Sequence, residues 1–152
     1  MTITVDLRPL LEEMPDLYKA QQLLLKALQN HRITVFTFSE RFFTNQILRA
    51  LISFWSGVKK AIVYLDYSYT LQDLERELRW NEDRSTILCT YQTFLYRLMN
   101  PTSREKFKFI CLFDFDSLLF KNKVLAYAIL SRSLIKARKL IIYTSYPIPS
   151  FA

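Results

Sequence analysis

The sequence predicts a three-layer α/β domain with about five, mostly parallel strands and an added N-terminal helix. Two observations carry this. Five short runs, 33–36, 61–65, 86–89, 107–113 and 140–144, are almost continuously apolar, as strands covered on both faces are. Helix-like stretches near 44–56, 70–80, 92–99 and 122–137 separate them. Strands alternating with helices imply right-handed βαβ units and a sheet sandwiched between helical layers.

The elements follow in order. Residues 16–30 carry Leu17, Ala20, Leu24, Ala27 and Leu28 at helical spacing, and Pro15 suits a helix start. This makes 1–30 an N-terminal helical extension and 31–146 the α/β core of a single domain spanning 1–152. The β-branched run Ile33-Thr34-Val35-Phe36 opens the core, and an amphipathic stretch begins at Asn45. Asn122 fits the N-cap of the last helix. Tyr146-Pro147-Ile148-Pro149-Ser150 cannot continue a strand and ends the domain.

Composition narrows the function. At 51% apolar residues, with twelve Phe, nine Tyr and two Trp, the chain is no disordered segment. Its one glycine, Gly57, argues against functions that need close backbone approach to a ligand. No apolar run reaches the ~18 residues of a membrane span, and the N-terminus lacks signal-peptide features. Cys89 and Cys111 lie in apolar runs without paired spacing, which reads as buried free thiols in a reducing, intracellular compartment. His31 is the only histidine, so hydrolytic catalysis has no candidate base, and Glu12, Glu13, Glu75 and Glu77 read as surface charges. No catalytic residue, cofactor or metal is expected. Net charge is +7 and uneven: 1–76 hold nine Lys or Arg against eight Asp or Glu, whereas 77–152 hold twelve against six. That asymmetry suits a polyanionic partner.

Thr37-Phe38-Ser39-Glu40-Arg41-Phe42-Phe43-Thr44 stands between an apolar strand and a helix-like stretch, where a nucleotide-binding α/β domain carries its phosphate loop. Such a loop needs glycines for backbone access and a lysine for the β/γ oxygens. Here Thr37 and Phe42 hold the glycine positions and Phe43 the lysine position, and only the hydroxyl of Thr44 survives. Further along, Phe109-Ile110-Cys111-Leu112-Phe113-Asp114-Phe115-Asp116-Ser117 is similar to a Walker B strand, whose terminal carboxylate holds Mg²⁺. Ala61 to Asp66, followed by Thr70-Leu71-Gln72-Asp73-Leu74, resembles the second core strand of RecA-type recombinases. Thr86 to Thr90 resembles the third, Asp116-Ser117 the Asp-Ser pair ending their Walker B strand, and 140–144 the next strand.

The chain thus resembles a degenerate RecA-type recombinase paralogue, a P-loop NTPase core without a working Walker A, of the kind found in Shu-type complexes. The resemblance implies a non-catalytic subunit of a nuclear hetero-oligomer that assists homologous recombination and DNA repair, with another recombinase-like subunit and DNA as partners. Thr44, Asp114 and Asp116 are then vestigial positions. A second resemblance is to a superfamily 2 helicase-like core, as a degenerate DNA-binding module from a virus or mobile element. There Thr144-Ser145-Tyr146-Pro147 stands for the Ser-Ala-Thr-like segment and Ala20-Gln21-Gln22 for the glutamine motif. A third reading is an enzyme with an unfamiliar nucleotide site at Thr44, Asp114 and Asp116.

The candidate DNA-binding residues are Lys121 and Lys123, where recombinases carry their first DNA-binding loop, and Arg132, Lys136 and Arg138 on or after the last helix. Arg104, Lys106 and Lys108 flank a strand entry, and Tyr127, Tyr143 and Tyr146 are aromatics near basic residues. Phe42, Phe43, Phe54 and Trp55 are the candidate partner-binding residues, since large apolar side chains in a ligand-facing turn suggest docking where ATP would sit.

Overall fold

All five apolar runs are strands, and a sixth joins them at the sheet edge. The computed structural model describes residues 2–13, 16–38, 57–66, 69–80 and 84–147. Its strands are β1 (Thr2–Asp6), β2 (Ile33–Thr37), β3 (Lys60–Tyr64), β4 (Thr86–Thr90), β5 (Phe107–Leu112) and β6 (Ala137–Thr144). They form one sheet in the order β1-β2-β6-β5-β3-β4, and every pairing is parallel. The described helices are α1 (Leu17–Asn30), α2 (Tyr69–Trp80), α3 (Tyr91–Leu98), α4 (Phe115–Lys121) and α5 (Lys123–Lys136), with a π-helical turn at Pro9–Glu13.

Two differences from the sequence reading bear on function. The N-terminal extension is not only helical: Thr2-Ile3-Thr4-Val5-Asp6 alternates polar and apolar residues and pairs with β2 as a half-exposed edge strand. The strand read over 107–113 stops one residue sooner, and the aspartate end of the Walker B-like segment is helix. The strand ends at Leu112, and Phe115 already lies in α4.

Topology explains the layers. The chain steps from β1 to β2, β3 and β4 in one direction across the sheet and returns through β5 to β6. Right-handed crossovers therefore put α1 and α2 on one face and α3, α4 and α5 on the other. The two cores agree. Leu24, Leu28, Leu71 and Leu74 pack with Phe36, Ile62, Phe109 and Ile141 on one face. Tyr91, Phe94, Phe115 and Ile129 pack with Val35, Val63, Ile110 and Ile142 on the other. Cys89 and Cys111 are free and join opposite cores, so they do not pair. Burial pushes Cys89 up to about 11 and Cys111 higher still, which keeps both thiols protonated and unreactive.

Local chemistry starts the helices where they start. Asp16 Oδ1 accepts from Lys19 N at 3.0 Å at α1, and Thr90 Oγ1 from Thr93 N at 3.4 Å at α3. Asn122 Oδ1 accepts from Leu125 N at 3.1 Å at α5, as the sequence predicts.

Glu105, in the connection from α3 to β5, is the best-bonded surface charge. Arg97 donates to both carboxylate oxygens at 2.5 and 2.6 Å, and Lys59 adds a third bond at 2.7 Å. The Arg97 bonds, then those of Lys59, hold the Glu105 carboxyl at about 2. Such a depressed carboxylate adds stability above its unfolded value, near 4.5, and loses it as pH falls toward 2. Glu105→Gln is expected to cost about 1 kcal/mol at neutral pH, a modest figure because the two cations are half-exposed. Urea unfolding of both proteins should show that difference at neutral pH and little of it at about pH 2.5.

Candidate functional site

In open α/β sheets ligands bind outside the carboxyl ends of the strands, where neighbouring crossovers diverge. That point here lies between β3 and β5: the chain leaves β3 toward β4 over one face and leaves β5 toward β6 over the other. A cleft of about 310 Å³ opens beside it, lined by Leu65, Thr90, Tyr91, Leu118, Lys121 and Asn122 among others. This is the low end of small-molecule clefts. Its polar groups are largely committed: Thr90 and Asn122 cap helices, and the Tyr91 hydroxyl donates to Phe113 O at 2.5 Å. Lys121 sits at the rim, 3.8 Å from Asp66, with both side chains well exposed, so the pair holds little energy.

The two aspartates of the Walker B-like segment have separate jobs. Asp114 is the N-cap residue of α4 and the only described non-glycine residue at positive φ, 53° with ψ 40°, and it makes no side-chain cap bond. Aspartate tolerates this left-handed conformation better than most residues. Asp114→Gly should therefore melt at or slightly above the parent, whereas the β-branched Asp114→Val should lose about 1–2 kcal/mol; differential scanning calorimetry of the pair checks this.

Asp116, in the first turn of α4, accepts through Oδ2 from the backbone amides of Ser145 and Tyr146, each at 3.2 Å. It thus ties α4 to the chain leaving β6. Its Oδ1 is buried and accepts from no donor among the described residues. One oxygen is not a metal site: among the described residues no group of three His, Cys, Asp or Glu is placed to hold an ion. Beside this tie, Thr37 and Thr144 share a buried hydroxyl–hydroxyl bond of 3.1 Å between the ends of β2 and β6, and Tyr143 OH donates to Phe38 O at 2.7 Å. Thr37, read as a lost glycine position, is here a buried contact between strands. Phe38 is buried too, its ring edge-on to Tyr143 at 4.8 Å.

The five candidate DNA-binding cations are not brought to one spot. Lys121 ends α4 and Lys123 begins α5, both exposed at the carboxyl end of the sheet. Arg132 is exposed two turns further on; Lys136 ends α5, and Arg138 is exposed at the start of β6, at the opposite end. The 14 residues of α5 rise about 21 Å between these groups. Along the outer side of α4 and α5, Phe120, Val124, Tyr127 and Ile135 are exposed, Phe120 at 93%. Of the other aromatics, Tyr143 is buried and Tyr146 exposed. Phe42, Phe43, Thr44, Phe54 and Trp55 lie outside the described residues.

Fold and edge chemistry define the class: a three-layer α/β protein on a single six-stranded parallel sheet, with Asp116 engaged by the backbone amides of Ser145 and Tyr146. No protein-family model matches the chain, and no curated protein matches it significantly. Among the described residues no helix is long and apolar enough to cross a membrane.

Proposed function

We propose that this chain is a non-catalytic, nucleic-acid-binding subunit of a nuclear hetero-oligomer that assists homologous recombination and DNA repair, built on a P-loop-like core without nucleotide chemistry. The observation that carries it is the engagement of Asp116. Through Oδ2 this carboxylate accepts from the Ser145 and Tyr146 amides and ties α4 to the chain leaving β6, whereas a metal-binding one must stay open to Mg²⁺ and phosphate. The unfilled glycine and lysine positions between Thr37 and Phe43 agree with this. The basic C-terminal half supports a polyanionic partner, and exposed Phe120 and Val124 support a protein contact.

A degenerate superfamily 2 helicase-like module is the second reading, and one observation favours it. That family pairs an acidic strand end with a Ser-Ala-Thr-like segment, and here Asp116 is bonded to the 144–147 segment that would be its remnant. Both readings give up ATP. They part on partners, since a subunit needs a second chain for solubility and a lone module does not.

The test is binding of fluorescently labelled single-stranded and duplex DNA, followed by anisotropy across a salt series. Binding without nucleotide, unchanged by Mg²⁺-ATP and falling steeply with salt, is expected. No binding to either probe, or binding that requires ATP, would overturn the proposal.

A further inference from the structure

We propose that the amino-terminal end of the sheet, where Lys106, Lys108 and Arg138 meet Lys136, is the site that takes the phosphate backbone of the nucleic acid. This deepens the reading above and rests on it.

Cations at this end have one ordinary explanation. The C-termini of α1 and α5 also point here, and basic side chains offset exposed helix carbonyls. Some do only that. Arg32 donates to Leu134 O at 2.5 Å at the end of α5, and Lys139 donates to Leu28 O and Gln29 O at the end of α1. Arg97 and Lys59 neutralise Glu105. Of the other cations at this end, Lys106, Lys108, Lys136 and Arg138 lie together, and none has an acidic partner among the described residues. Lys136 has only a long 3.4 Å bond to Ser103 O.

These four side chains line one groove of about 410 Å³, between the starts of β5 and β6 and the end of α5. Lys106 and Lys108 stand two residues apart at the entry to β5, about 6.6 Å by strand rise. Phe107 pairs with Ala137 and Phe109 with Lys139, which sets Lys108 and Arg138 between these pairs on neighbouring strands. Strands lie about 4.8 Å apart, so like charges crowd each other. Lys139 registers the crowding: burial first, then Lys108 and Arg138, lower its pKa. An array that repels itself costs the fold and is relieved when a polyanion neutralises it.

The arrangement favours nucleic acid over other anions. A single phosphate engages one or two cations, whereas this groove gathers four, from the entries of β5 and β6 and the end of α5, enough for several linked phosphates. A lipid surface presents its charges in a plane and rewards an apolar face inserted beside them. The groove instead presents its cations beside one exposed large apolar side chain, Ile135.

The experiment compares labelled oligothymidylate and duplex DNA binding by the parent, K106E/K108E/R138E, the milder K106Q/K108Q/R138Q, and K19E/K26E, which changes two exposed cations on α1. Affinity at low salt should fall at least ~10-fold in the Glu triple and several-fold in the Gln triple, with the salt slope shallower by roughly two to three. The Gln triple should also melt at or above the parent, because it removes repulsion, so lost binding cannot be ascribed to lost folding. K19E/K26E should keep the parent slope. Parent-like binding by both triples would overturn this site while leaving the nucleic-acid reading intact. A parent that binds neither probe, or that binds phosphatidylserine vesicles instead, would overturn both.

Discussion

Asp116→Ala is expected to lower stability by about 2 kcal/mol and the melting midpoint by roughly 4–8 °C in a chain of this size. The carboxylate accepts two backbone amides across the gap between α4 and the end of β6, and bonds to a charged acceptor exceed neutral ones in strength. Alanine leaves Ser145 N and Tyr146 N to find water, and the end of β6 loses its anchor. Asp116→Asn keeps an acceptor oxygen and should recover about half of the loss. The opposite sign would be informative. Carboxylates kept for metal or nucleotide chemistry are strained in the empty site, and removing them stabilises the fold. A higher-melting Asp116→Ala protein would therefore place the residue in an active site. Thermal melts of the three proteins by circular dichroism decide it.

Phe94→Ala is expected to cost more, about 3–5 kcal/mol, because it empties the centre of the core beneath α3. Phe94 is fully buried, its ring centroid 5.7 Å from that of Phe107 at the start of β5. Phe107 in turn lies under the Lys59 ammonium, 5.3 Å from the ring centroid. The loss is a large part of the 5–15 kcal/mol that holds a typical domain together. Phe120→Ala is the contrast. Its 93% exposed ring touches little of this fold, so stability should stay within ~0.5 kcal/mol. Chemical denaturation of both variants separates a packing aromatic from one available to a partner.

The central strands were legible because each is an apolar run buried on both faces, a pattern that demands helices above and below. Asn122 was legible for a local reason, since one side chain and one amide decide a cap. β1 was harder to find. Its signal is the Thr-Ile-Thr-Val alternation of a half-exposed edge strand, weaker than a continuous apolar run. The end of β5 was legible to within one residue, because the apolar run stops at Asp114, but the left-handed turn of Asp114 into α4 was not. The role of Asp116 could not be read at all. Its partners are amides 29 and 30 residues away, and backbone amides carry no sequence signature. The basic residues were visible one by one, but their sorting to opposite ends of α5 needs the fold. Lys106 and Lys108 gain weight only when the register sets Lys108 beside Arg138.

The measurement that bears most directly on a core without nucleotide chemistry is thermal melting with and without saturating Mg²⁺-ATP. A ligand that binds only the folded state raises the midpoint in proportion to the logarithm of its saturation. An unchanged midpoint is the expected result. A rise of several degrees that disappears in Asp114→Asn would contradict it and make this chain a nucleotide-binding enzyme or switch.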